Sequence, residues 1–154
     1  MFNEILGLPA HPLIIHFAVV LTPLLAGVSA AHALVPRIRP HLGWAVVLLA
    51  VAAPAAVFAA RQSGGALKEA RFSQVEGELG QRIAEHQSFA LPLLLTTASL
   101  GVASLLSVYL ARTKTNVPAW VSTAVTAVTV VLAVAAGYYV FRAGDSGARA
   151  VWGL

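Results

Sequence analysis

The sequence predicts an all-α integral membrane protein, an antiparallel bundle of four transmembrane helices, and three observations carry that expectation. The 154 residues are 58% hydrophobic and 10% charged, with a mean hydropathy of +0.81. A soluble domain carries about 25% charged residues, so there is too little polar surface here to cover a globule in water. The apolar residues form four long unbroken runs, and the breaks between them hold Pro, Gly and charge. Only helices and closed barrels satisfy every backbone N–H and C=O in lipid. Unbroken runs suit helices, whereas barrel strands alternate. The length suits one domain over 1–154.

The first span runs from about Pro12 to Val35. Pro12 fits a first helical turn, where its missing N–H is no loss, and Pro36 and Pro40 close the run. The second covers about Leu42 to Ala60, up to the Gly64-Gly65 pair, with Pro54 inside it as a source of kinking. The third covers about Phe89 to Ala111, with Pro92 near its start, and the fourth about Ala119 to Phe141, between Pro118 and Gly144. Each has roughly the 20 residues that a hydrocarbon core demands. Alanines in spans two and four favour close helix approach. Pairing of whole chains into a homo-oligomer is left open.

Loop charges orient the bundle. Arg37, Arg39 and His41 occupy the first loop, and Arg112 and Lys114 the third; neither loop has an acid. The positive-inside rule therefore predicts that both are cytoplasmic and both termini are not. The second loop, about Gln62 to His86, holds Glu69, Glu76, Glu78 and Glu85, and its Glu78-x-x-x-Arg82 spacing predicts a solvated helix. The N-terminus lacks the basic start of a cleavable signal. The net charge of +4 is spread over helix ends rather than gathered in a patch, so the bilayer and not nucleic acid is the expected partner.

Without cysteine, disulfides and thiolate metal sites are excluded. The candidate chemistry is histidine. His11 and His16 bracket the start of span one, and five residues place them about 140° apart on a helix. With His11 at or before the cap, it is free to fold back over the bundle mouth. His16 lies a turn inside the membrane, where an ionisable side chain defaults to a functional hypothesis. His86 stands at the entrance of span three. Three imidazoles thus gather at one end, with Arg61, Arg142 and Asp145 at a similar level.

Three readings follow. The histidines are interfacial anchors bonded to carbonyls. Or His16 and His86 are axial ligands of haem b, with Arg61 and Arg142 on the propionates and low-spin electron transfer as the role. Or His11, His16 and His86 hold copper or zinc, aided by Asp145 or Glu85. His32 and His41 sit at the other end, where interfacial solvation is expected. The turn Gly144-Asp145-Ser146-Gly147 either caps the fourth helix or lids the site, with Asp145 orienting a histidine. No nucleophile elbow, phosphate loop or calcium loop is present, so the chain reads as a binding protein rather than an enzyme.

The opening His11-Pro12-Leu13-Ile14-Ile15-His16-Phe17 and the tail Arg142-Ala143-Gly144-Asp145-Ser146-Gly147-Ala148-Arg149-Ala150-Val151-Trp152 resemble a bacterial four-helix membrane family, domain of unknown function 2231. His86 matches the histidine that its members carry before the third helix. Ala18 departs from the family's Pro after Phe. The resemblance implies a bacterial inner (cell) membrane location. It also implies a redox setting, since some members are joined to Rieske or cytochrome c modules; this tilts the expectation towards haem over a bare metal. The competing class is an accessory subunit without a cofactor, packed against a redox partner or a larger membrane complex.

Overall fold

The computed structural model describes residues 4–5, 8–113 and 117–153. Lys114 of the third loop lies outside them. Two short strands, β1 (Glu4–Ile5) and β2 (Leu8–Pro9), pair antiparallel ahead of the first helix. Five helices follow: α1 (Ala10–Leu34), α2 (Arg39–Arg71), α3 (Gly77–Ser88), α4 (Ala90–Arg112) and α5 (Ala119–Trp152). Four of them, α1, α2, α4 and α5, are long and apolar enough to cross a membrane. The chain is therefore a multi-pass membrane protein with an all-α four-helix bundle. Its outer surface is apolar: Phe17, Val20, Leu48, Val51, Val102, Val131 and Val134 are all well exposed, as side chains facing lipid are.

Local chemistry explains the ends. Pro12 and Pro92 fall in the first turns of α1 and α4. Val35, ahead of Pro36, is extended (φ −118°, ψ 92°) and stops α1. Gly153 ends α5 in the left-handed conformation, φ 67°, with its N–H on the Arg149 carbonyl. The expected helix around Glu78 is α3, braced by a 2.6 Å ion pair from Arg82.

Two expected ends are overturned. Gly64-Gly65 does not end α2, which continues to Arg71, and Gly144-Asp145-Ser146-Gly147 is neither cap nor lid but part of a continuous α5. A helical glycine costs only about 1 kcal/mol, and Gly64 and Gly147 each receive a packed histidine ring in return. The two helices are consequently about 50 Å long, longer than a 30 Å hydrocarbon core.

Around the bundle the order is α1, α2, α4, α5, with each helix packed on the next and α1 meeting α4 across the middle. The two hairpins are copies of one pattern. Buried residues of α1 recur in α4 at one offset (97 − 22 = 75): Ala18 with Leu93, Thr22 with Thr97, Leu25 with Leu100, Ser29 with Ser104, Ala33 with Val108. Those of α2 recur in α5 at another (143 − 60 = 83): Val46 with Thr129, Ala50 with Ala133, Ala53 with Ala136, Val57 with Val140, Ala60 with Ala143, Ser63 with Ser146. Parallel repeats about an axis along the membrane normal are a known membrane architecture. Close crossings rely on small residues: a Cβ on Gly101 would lie 2.7 Å from the Ala50 carbonyl, a group that Pro54 deprives of its helical N–H partner.

Candidate functional site

One end of the bundle gathers the start of α1, the end of α3 and the extended ends of α2 and α5. Its centre is a pair of histidines, one from each half. His11, the second residue of α1, turns onto α2, where its Nδ1 lies 3.1 Å from the Ala60 carbonyl and 3.0 Å from Ser63 Oγ. His86, at the end of α3, turns onto α5, where its Nδ1 lies 3.2 Å from Ser146 Oγ. The two rings meet edge to face with centroids 6.3 Å apart.

The cradles match residue for residue. Each is Ala-x-x-Ser-Gly, at 60–64 and 143–147. In each, the serine hydroxyl also reaches the alanine carbonyl one turn back, at 3.0 Å from Ser63 and 3.2 Å from Ser146. The glycine lies under the ring: a Cβ on Gly64 would sit 3.0 Å from His11 Cε1, and one on Gly147 would sit 3.1 Å from His86 Cε1. The Ala60 carbonyl assigns the His11 proton to Nδ1, and Ser146, whose own proton goes to the Ala143 carbonyl, accepts from His86 Nδ1. Among the described residues neither Nε2 has a hydrogen-bond partner. One nitrogen of each ring is anchored and the other is not, as in imidazoles that bind metals through the second nitrogen.

Other expected site residues fall elsewhere. His16 does not join His86; it is exposed on the outer face of α1, and its Nδ1 turns back to the Pro12 carbonyl. The cause is the 140° between His11 and His16: α1 starts at Ala10, so both are helical and only one can face inward. Arg61 is exposed. Arg142 stacks on Phe89 at 4.8 Å and lies 3.6 Å from Glu85. Asp145 pairs with Arg149 at 3.0 Å and orients no histidine; its neighbour Ser146 does that. A metal site of three histidines is not assembled, and no group of three or more His, Cys, Asp or Glu suited to an ion occurs among the described residues. At the far end His41 is exposed as expected, but His32 is buried, 3.4 Å from Ser107, with Arg39 donating to its carbonyl.

Two imidazoles on one metal, with metal–nitrogen bonds of about 2.0 Å, place their ring centroids roughly 6 Å apart, whether the metal is a bare ion or a haem iron; the His11 and His86 centroids are 6.3 Å apart. No family model matches the chain, and neither a curated protein nor a solved structure shows detectable similarity to it.

Proposed function

We propose that the protein binds one His-ligated metal ion, copper, between His11 and His86, and serves electron transfer with a redox partner at the membrane surface. The observation that supports this reading is the matched pair of imidazoles, each anchored at Nδ1 with Nε2 left for a ligand. Zinc sites draw three or four ligands from protein, whereas two imidazoles suffice for monovalent copper. The redox role rests on the resemblance to the four-helix membrane family. Orientation follows from charge: Arg37, Arg39 and Arg112 lie at the end opposite the histidines, so the site faces the non-cytoplasmic side of a bacterial cell membrane.

The test is elemental analysis and an optical spectrum of protein purified in detergent. One copper per chain is expected, lost in both His11→Ala and His86→Ala and kept in His16→Ala. A Soret band with haem recovered by pyridine extraction would replace the ion with haem b. Neither metal nor haem, together with stoichiometric co-purifying membrane proteins, would leave the accessory-subunit reading standing.

A further inference from the structure

The pseudo-two-fold axis carries a second matched polar pair, deep in the bundle. Thr22 of α1 and Thr97 of α4 are equivalent positions, and both are completely buried. Their hydroxyls are the buried side-chain polar atoms left without a hydrogen-bond partner among the described residues. Other threonines of the bundle behave differently. Thr129 donates to the Val125 carbonyl at 2.8 Å, and Thr96, beside Thr97, lies 2.8 Å from the Pro92 carbonyl. Thr22 and Thr97 make no such bond to their own helices.

Helical register aims both at the axis. Seven residues separate Thr22 from Ser29 and Thr97 from Ser104, which is two turns to within about 20°. Ser29 and Ser104 meet across the axis, Oγ to Oγ, at 2.8 Å. Eleven residues in the other direction stand His11, on the same face of α1 to within about 20°, and His86 in α3, whose ring meets that of His11. The threonine pair thus lies between the Ser29–Ser104 hydrogen bond and the His11–His86 ring contact. Ala18 with Leu93 seals it on the histidine side, and Leu25 with Leu100 on the serine side.

We infer that Thr22 and Thr97 form an enclosed site at mid-bilayer depth that holds one water molecule bridging the two halves of the chain. Two unsatisfied hydroxyls in a dry interior are costly, and a bridging water offers each a partner. A cation is a poor occupant, because no acidic side chain is buried among the described residues to offset its lost hydration. The apolar seals make this a resident water rather than a step in a pore. The inference is independent of what His11 and His86 bind.

Thr→Val keeps the shape and removes the hydroxyl, so thermal unfolding of the full chain in detergent tests it. Thr22→Val and Thr97→Val are each expected to lower Tm by about 2–4 °C, and the double variant by less than the sum, because one water is shared. Thr22→Ser and Thr97→Ser, which keep the hydroxyl, are expected to lose less than the valines. A valine variant that fails to fold while its serine counterpart folds counts with this outcome. Valine variants as stable as the parent or more so, with serine variants below them, would mean two dry hydroxyls and overturn the inference.

Discussion

Gly64 and Gly65 are adjacent in α2, yet only the first touches a histidine, and this makes them a matched experiment. Gly→Ala inside a helix is worth about 0.8–1 kcal/mol by helix propensity. Nothing lies within 4 Å of a Cβ on Gly65, so Gly65→Ala is expected to realise that gain, about 2–4 °C in Tm. A Cβ on Gly64 would meet His11 Cε1 at 3.0 Å and Nδ1 at 3.3 Å. The ring must move by a few tenths of an ångström, away from the Ala60 carbonyl and Ser63 Oγ that it now reaches at 3.1 and 3.0 Å. Weakening a half-buried hydrogen bond with a polar group left behind costs about 1–3 kcal/mol. The propensity gain is cancelled or exceeded, and Gly64→Ala is expected to melt at or below the parent. Gly144→Ala and Gly147→Ala repeat the contrast in α5, where only Gly147 faces a ring. The assay is thermal unfolding of the four variants in one detergent, with copper titration on each. Copper affinity is expected to fall in Gly64→Ala and Gly147→Ala alone. Equal stabilisation of Gly64→Ala and Gly65→Ala would refute the cradle.

Three further outcomes are open to direct measurement. Gly101→Ala sets a Cβ against the backbone oxygen of Ala50, which cannot swing aside; a loss of about 1–3 kcal/mol is expected by thermal unfolding, and a variant as stable as the parent would deny the close α2–α4 crossing. Arg142→Ala removes a half-exposed pairing with Glu85 and the stacking on Phe89, so a change within about 1 kcal/mol is expected; a larger loss by the same assay would mark Arg142 as part of the site. The chain has no cysteine, so Ser73→Cys and Thr113→Cys report orientation cleanly: a membrane-impermeant maleimide is expected to label Ser73→Cys in intact bacterial cells and Thr113→Cys only after lysis, and the reverse pattern would invert the topology.

The four membrane crossings were legible because bilayer thickness acts on average hydrophobicity, which survives any detail of packing. Helix ends were less so. Gly64-Gly65 and Gly144 read as stops by local propensity, but a propensity of about 1 kcal/mol yields to tertiary contact. The histidine end is legible in the sequence as a place, but the pair that meets there is His11 with His86 rather than His16 with His86. The 140° between His11 and His16 already required one of them to face outward; which one depended on whether the helix begins at Ala10 or Pro12, a two-residue difference that composition does not resolve. Asp145 drew attention as a carboxylate, whereas the hydrogen-bonding role belongs to Ser146 beside it. The signal that would have found Ser63 and Ser146 is the recurrence of Ala-x-x-Ser-Gly 83 residues apart. In α1 and α4 the repeat holds chiefly at axial positions such as Thr22 and Thr97, Leu25 and Leu100, Ser29 and Ser104, while the lipid-facing residues between them differ. Hydrophobicity hides such a repeat, because lipid accepts any apolar side chain.

The repeated hairpin has a consequence for assembly. The first hairpin precedes α4 in the chain, so Thr22, Ser29 and His32 are synthesised before the helix that helps to cover them. Polar groups in hydrocarbon without partners are costly. Burying these groups therefore takes both hairpins, and the seam between them closes only once α4 is in place.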